Sequence, residues 1–548
     1  MVQRPMTEPV GIARGQSAFR RSGIGVRPLH LLCVLVATFL WVQTACAQTD
    51  TTASPLELLE QSLVKLIADT ESGVVSIIRV KKEADRAAPG RFPLDGFGNR
   101  PQGRPGIGGD NAPERHPAFV GNDFGAGVIL SEDGLILTNR HLIKGGPVLG
   151  RDELPSDSQI LVRLPDRSTA YAQIVAADPR SDLAVIRVLQ LPAPLVPLKP
   201  YAGRPLKKGQ LVVGLGNPYA IGREDGSASA ALGMIANTSR RPSPRAEPLS
   251  EEEELALRTL HHFGTLLAVD MRLNLGTSGG ALVNLKGELV GLTTSLAALE
   301  GQEKSTGFAV PIDGATLRIV EDLMRGLEVE YGYLGISLAQ TVNDASLSFL
   351  AQLRLAGAAE VAGVQDNTPA AKAGLLRTDL IVAVNGNPVT SSNDLMRQIG
   401  LLPPGSTAEL MVCHPPNPEL ADRAPPTRNL KVDLGKWPAV DDEGIVATKR
   451  RFEPWRGLAV DFATARHKFQ MRRHFGPSEV QQGVLILEVE KDSPASRTEP
   501  PLQPGDCVTH VAGKPVQTPR QFDTICREIK GGNVSLTLST GKRVVVGP

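Results

Sequence analysis

Leu273-Asn274-Leu275-Gly276-Thr277-Ser278-Gly279-Gly280-Ala281-Leu282-Val283 is the stretch on which the reading of this chain turns. A hydroxyl sits among three glycines and runs at once into an apolar segment. Glycine tolerates positive φ and lets a substrate or a second backbone approach closely. Such a turn leaves backbone N–H groups free to face a cleft, where they can stabilise an oxyanion. Taken alone, Gly-x-Ser-Gly-Gly reads equally well as a Gly-rich turn between two strands. It acquires catalytic meaning only if the chain also supplies a base and an acid that orients it.

Upstream, Gly125–Leu130 and Leu135–Asn139 read as the strands of a hairpin about Ser131-Glu132-Asp133-Gly134, and the hairpin delivers Arg140-His141 at its end. A second pair, Gln159–Leu164 and Ala170–Ala176, leads to Asp178-Pro179-Arg180-Ser181-Asp182 and the strand Leu183–Val188. Gln210–Leu215, Glu288–Thr294 and Gly307–Pro311 continue the series. Many short strands with glycine punctuation and no alternating helices predict a mainly β barrel or sandwich. His141, Asp182 and Ser278 each fall at a strand end or turn. A serine hydroxyl becomes a nucleophile when an imidazole takes its proton, and a carboxylate fixes that imidazole's tautomer and stabilises its charged form.

At 548 residues the chain is too long for one core and predicts about three or four domains. Aromatics are scarce at 4 % while Gly (55) and Pro (43) abound, which favours turn-rich β structure over helical bundles. A formal net charge of +1 carries no electrostatic footprint for nucleic acid. Arg14, Arg20, Arg21 and Arg27 precede the apolar run Leu29–Val42, which is followed by Ala45-Cys46-Ala47. That is a signal peptide cut after Ala47, residues 1–47; the run is short of the roughly 20 residues of a membrane span. An uncleaved membrane anchor is the alternative. With the leader removed, Cys413, Cys507 and Cys526 remain, an odd number that excludes a disulfide framework but leaves a Cys507–Cys526 pair open. No Cys/His cluster has zinc spacing, so neither metal nor cofactor is expected.

Pro55–Ile67 carries apolar residues at helical spacing behind Ser54, and Gly73–Val80 reads as a strand. Lys82–Pro117 turns to Gly, Pro, Arg and Asp and reads as a long loop, and Arg240–His262, with four consecutive Glu, as a solvated insertion or short surface helix. A helix over Ala315–Arg325 closes the first unit. Beyond it Asp379, Gly386, Val389, Leu395 and Leu402 recur at a constant offset of 127 as Asp506, Gly513, Val516, Phe522 and Ile529. Two related domains follow, parted by a charged linker near Asp441–Pro454.

Gly125–Ile129, Leu137-Thr138-Asn139-Arg140-His141, Asp178–Val185, Gly216-Asn217-Pro218 and Gly276–Gly280 together resemble the HtrA (Deg) family of serine proteases. The resemblance runs from about Leu63 to the C-terminus. It implies a chymotrypsin-like double β-barrel over residues 55–326, a PDZ domain over 333–436, a linker over 437–454 and a second PDZ domain over 455–547. It implies His141 as general base, Asp182 as its orienting acid and Ser278 as nucleophile, with the amides of Gly276 and Ser278 as oxyanion hole. Asp270 falls where the family has a structural aspartate. By the same resemblance Val290, Leu292 and Thr293 line the specificity pocket. Tyr333-Leu334-Gly335-Ile336 opens the first carboxylate-binding loop, and Arg456-Gly457-Leu458-Ala459 the second. Thr277 and Ala281 depart from the family's Asn and Pro, Asn274-Leu275 from Asn-Pro, Thr378 from Gly, and Arg497–Pro504 from the Ala-Gly-Leu pattern.

The function so implied is an ATP-independent serine endopeptidase of the periplasm or secreted space, acting on unfolded or misfolded proteins. Its PDZ domains would bind peptide C-termini, and the chain would assemble as a homo-oligomer, a trimer or a multiple of one. The alternative is a PDZ-bearing chaperone or scaffold on a weakly active protease platform.

Overall fold

The computed structural model describes residues 54–81, 123–151, 156, 158–217, 227–240, 259–273, 276–294, 306–339, 342–414, 427–439, 444–466, 482–529 and 531–548. The expected leader, the Lys82–Pro117 loop and residues 241–258 of the acidic insertion lie outside the described residues. The chain divides into two compact units, residues 1–62 and 63–548. In the first, Ser54 and Glu57 bond reciprocally to each other's backbone amides at the start of helix Pro55–Thr70, a capping box.

Six strands of the second unit, β1 (Val74–Lys81), β2 (Asp123–Ile129), β3 (Leu135–Asn139), β4 (Ser158–Arg163), β5 (Thr169–Asp178) and β6 (Leu183–Val188), form an antiparallel sheet in which β5 also pairs with β6. The sheet therefore curls on itself around an aliphatic core that includes Val75, Ile136, Ile160 and Ile186. Strand β3 is buried at every position. Strands β7 (Leu211–Gly216), β8 (Ser229–Arg240), β9 (Leu266–Val269), β10 (Ala281–Asn284), β11 (Leu289–Thr294) and β12 (Gly307–Pro311) close a second barrel. Helix Gly314–Met324 follows, its first turn capped by the Asp313 carboxylate, which accepts from the amides of Ala315 and Thr316. One expectation is corrected just before β9. The end of the acidic insertion is not solvated: Leu260, His261 and Phe263 are buried, because His261 finds polar partners that offset its desolvation.

The next strands are β13 (Gly332–Tyr333), β14 (Ile336–Leu338), β15 (Ala359–Val364), β16 (Leu380–Val384), β17 (Asn387–Pro388), β18 (Thr407–Cys413), β19 (Arg428–Asp433) and β20 (Gly435–Lys436). Strand β20 returns to pair with β13, so the domain's two ends leave together as one stem. The main sheet runs β14-β15-β16-β18-β19, with β17 on β16.

After the short strand β21 (Val446–Ala447), strands β22 (Leu458–Phe462), β23 (Val484–Val489), β24 (Cys507–Val511), β25 (Lys514–Pro515), β26 (Val534–Leu538) and β27 (Arg543–Val546) repeat that order. The offset of 127 holds in space: helix Ser392–Gly400 of the first sheet has its counterpart in Pro519–Glu528 of the second. Cys507 and Cys526 are unpaired thiols, and burial pushes each up to about 12.

The segment between the two sheets is not a free tether. Strand β21 adds antiparallel to β5, Arg151 donates to the Ala447 carbonyl at 2.7 Å, and the Thr448 hydroxyl donates to the Val175 carbonyl at 2.9 Å. Beside it lies a dense charge cluster. The Lys436 ammonium, 4 % exposed, reaches Glu328 at 2.9 Å, Asp461 at 2.8 Å and Glu330 at 3.3 Å. Arg466 pairs with Glu328 at 2.9 Å, and Arg451 with Asp322 at 2.9 Å and Glu330 at 3.1 Å. Burial alone would raise the Glu328 carboxyl, but Lys436 and Arg466 bring it down to about 2. Glu330 moves the other way, raised by burial in spite of Lys436 and Arg451.

A carboxyl depressed in the fold stabilises it above the unfolded pKa and loses that contribution as pH falls toward the folded one. The Glu328 contribution is therefore expected to vanish as pH falls from 4.5 toward 2, lowering the first thermal transition seen by calorimetry. Lys436→Met should cost about 3–5 kcal/mol at neutral pH, because it strands buried carboxylates. Urea unfolding followed by circular dichroism measures that loss.

Candidate active site

The site lies where the end of β3, the turn before β6 and the loop before β10 converge. Asn139, at the end of β3, stands opposite Leu183 at the start of β6, which sets His141 beside Asp182. The pair is bonded twice. The Asp182 carboxylate lies 2.6 Å from His141 Nδ1 through one oxygen and accepts the His141 amide at 3.0 Å through the other. The Asp182 carbonyl accepts the Arg140 amide at 2.8 Å and the Asn139 side-chain amide at 3.3 Å. An ionised carboxylate only accepts, so Nδ1 carries the proton and Nε2 is the ring's basic nitrogen. Asp182 is 4 % exposed and sits at φ +54, a left-handed conformation that Asp tolerates better than most residues.

Ser278 arrives from the second barrel. Its carbonyl accepts the Ala126 amide of β2 at 2.8 Å. Gly279 lies so close to β2 that a Cβ there would strike the Ala126 carbonyl and the Thr138 hydroxyl, and a Cβ at Gly125 would strike the Leu142 side chain and the Ser278 carbonyl. Glycine at those positions lets the nucleophile loop lie against β2 and β3, three residues short of His141. Within the loop, Gly280 N donates to the Thr277 carbonyl at 3.0 Å, the Thr293 hydroxyl to the same oxygen at 2.5 Å, and Gly279 N to the Thr293 carbonyl at 2.8 Å. Gly276, at φ +93, passes beneath the Phe124 ring and over the Asn217 carbonyl. Residues 274 and 275 lie outside the described residues.

Next to the loop is a cavity of about 190 Å³ lined by Gly214, Gly216, Ala230, Arg272, Thr277 and Thr293 among others. Thr293 is one of the residues that line it. Val290 and Leu292 are not: both are fully buried in the barrel's apolar clusters, since a closed six-stranded barrel fills its interior with aliphatic side chains. Arg272 was missed. It lies six residues ahead of Ser278 and is exposed. Asp270 accepts the Met234 amide at 2.7 Å, a structural contact.

In the first C-terminal domain Gly335 has φ +83 and packs against Thr368, where no side chain would fit. Leu334 is 4 % exposed and belongs to the domain core, whereas Ile336 begins β14, the edge strand of its sheet. The Tyr333 hydroxyl donates to Gln365 at 3.0 Å. In the second, Arg456 donates to the carbonyls of Gly532, Val546 and Gly547, which ties Arg456-Gly457-Leu458-Ala459 to the chain's end.

Two families match the chain: the trypsin-like peptidase domain over residues 125–292 and the PDZ domain over residues 332–422. The fold and these matches define a trypsin-like serine peptidase followed by a PDZ domain. A probable periplasmic serine endoprotease, DegP-like, of Ectopseudomonas mendocina is 30 % identical over 517 residues, covering 92 % of this chain and 94 % of the relative. That of Pseudomonas fluorescens is 30 % identical over 415 residues, covering 75 % and 76 %. The chain belongs to this family, the DegP-like periplasmic serine endoproteases of the HtrA type. Among solved structures, the HtrA-type protease AlgW with tripeptide is 23 % identical, covering 68 % of this chain and 97 % of that one at a TM-score of 0.45.

The crowding at Gly276 can be measured. Gly276→Ala would drive a methyl group into the Asn217 carbonyl and the Phe124 ring. Loss of one oxyanion donor costs about 10²–10³ in kcat, and the displaced loop should lose about as much; because the Asn217 oxygen is backbone and φ is +93, the thermal midpoint should fall as well.

Proposed function

We propose that Ser278, His141 and Asp182 are the catalytic triad of an ATP-independent endopeptidase that cleaves unfolded or misfolded proteins in the cell envelope. The observation that carries this reading is the doubly bonded His141–Asp182 pair, which fixes the tautomer whose Nε2 can take a proton. In this scheme Ser278 Oγ attacks the scissile carbonyl as Nε2 removes its proton. The amides of Gly276 and Ser278 hold the oxyanion, and the imidazolium returns the proton to the departing amine. A water molecule then hydrolyses the acyl-enzyme by the same route.

The cavity beside the loop would take the side chain preceding the cut. Its glycine and alanine walls leave room for Val, Ala, Ile or Leu, and the positive charge of Arg272 disfavours Lys or Arg there. The edge strand β14, opening behind Gly335, would add a substrate's C-terminal segment to the sheet and hold its carboxylate.

Ser278→Ala is expected to abolish digestion of unfolded casein, a loss of about 10⁶-fold in kcat, with no change in the circular dichroism spectrum. Casein digestion by Ser278→Ala at the parental rate would end this reading. Mass spectrometry of the parental digest should show Val, Ala, Ile or Leu before the cut; a majority of Lys and Arg would refute the assignment of the cavity. A peptide with a hydrophobic, free C-terminus should accelerate cleavage of a separate reporter, and its amidated form should not.

A further inference from the structure

Asp182 does not sit on a strand. It ends the turn Asp178-Pro179-Arg180-Ser181-Asp182 in a left-handed conformation, which persists only where the surroundings over-determine it. Part of that restraint is internal to the barrels. One oxygen of Asp178 accepts both the Ser181 amide, at 2.7 Å, and the Ser181 hydroxyl, at 2.5 Å. The Ser181 carbonyl is 2.9 Å from His261 Nε2, and the Arg180 carbonyl accepts the Leu260 amide at 2.8 Å.

The rest comes from outside the barrels. The Tyr331 hydroxyl donates to the same oxygen of Asp178, and Tyr331 is completely buried. The Arg180 guanidinium lies 5.5 Å from the centre of the Tyr331 ring and 5.0 Å from that of Trp437, and it donates to the carbonyls of Trp437, at 3.3 Å, and Pro438, at 2.6 Å. Tyr331 and Trp437 are bonded to each other through their backbones at 2.8 Å, and they flank the two strands, β13 and β20, that form the stem of the first PDZ domain. The residues that enter and leave that domain thus close on the turn that carries the catalytic carboxylate.

We propose that Tyr331, together with Arg180 and Trp437, is a positioning element for Asp182 and thereby for the His141–Asp182 pair. This rests on the triad assigned above. Tyr331 touches neither substrate nor the reacting atoms; it holds Asp178, Asp178 holds Ser181, and Ser181 precedes Asp182.

Tyr331→Phe in the full-length chain is the test. Asp178 keeps both bonds from Ser181, so the variant leaves no buried carboxylate bare and is expected to fold. Misalignment of a catalytic group by even 1 Å can cost about 100-fold, so kcat on a peptide substrate should fall by about 10- to 100-fold. KM should stay within about two-fold, because ground-state binding is untouched. The low-field proton resonance of His141 Nδ1–H should move or broaden. Tyr201→Phe, which removes a hydroxyl bonded to the Arg204 carbonyl instead, should leave all three quantities as in the parent. If Tyr331→Phe does not fold, Trp437→Leu, which removes one face of the Arg180 stack, is read by the same three measurements. A folded variant with parental kcat and an unmoved resonance overturns the proposal, and so does a fall in kcat without any change at the resonance. Failure of the triad itself is distinguished by Ser278→Ala, which would then remain active.

Discussion

The hydrogen bond from the Ala126 amide to the Ser278 carbonyl is the constraint on which the chemistry of this molecule depends. It joins two barrels that share an apolar layer packed between them, at the point where Ser278 of one reaches the strands that lead to His141 of the other. Neither barrel could make the site alone. A Cβ at Gly279 would strike the Ala126 carbonyl and one at Gly125 the Ser278 carbonyl, so a side chain at either position would force the loop and β2 apart. The glycines of the nucleophile loop therefore serve two ends: they shape the loop, and they let it reach across the cleft.

A second constraint acts from the C-terminal side. The segment after the first PDZ domain returns to the first barrel, adds strand β21 to β5, and passes the Gly444 carbonyl to Arg140 at 3.0 Å, next to His141. The cluster around Lys436 ties together Glu328 and Glu330 from the end of the protease unit, the stem of the first PDZ domain, and Asp461 from the second sheet. Buried ion pairs of this kind contribute little net stability but are costly to break on one side. They suit a junction that holds one arrangement firmly and gives way as a unit.

The residues of strand β11 divide between core and cavity. Val290 and Leu292 belong to the barrel because an interior closed on itself must be filled. Thr293 is just as buried, but its hydroxyl donates to the Thr277 carbonyl, and it lines the cavity beside the Ser278 loop. Arg272 brings a positive charge to a pocket otherwise lined mainly by small and hydroxyl-bearing residues.

By itself the sequence determined most of the strands, though not β8 or β9, and the repeat at an offset of 127. These follow from local chemistry: glycine punctuation, apolar alternation and motif context each act over a few residues. Tertiary structure alone decided which face of β11 is core and which is cavity, because strand periodicity does not say which side a barrel will close around. It also decided that Leu260, His261 and Phe263 are buried despite their acidic neighbours, since one partner that accommodates His261 is a carbonyl 80 residues away. The grip of Tyr331 and Trp437 on the Asp178–Asp182 turn was hidden for the same reason. An aromatic residue at a domain boundary reads as packing until its hydroxyl is seen to meet a carboxylate 153 residues earlier in the chain.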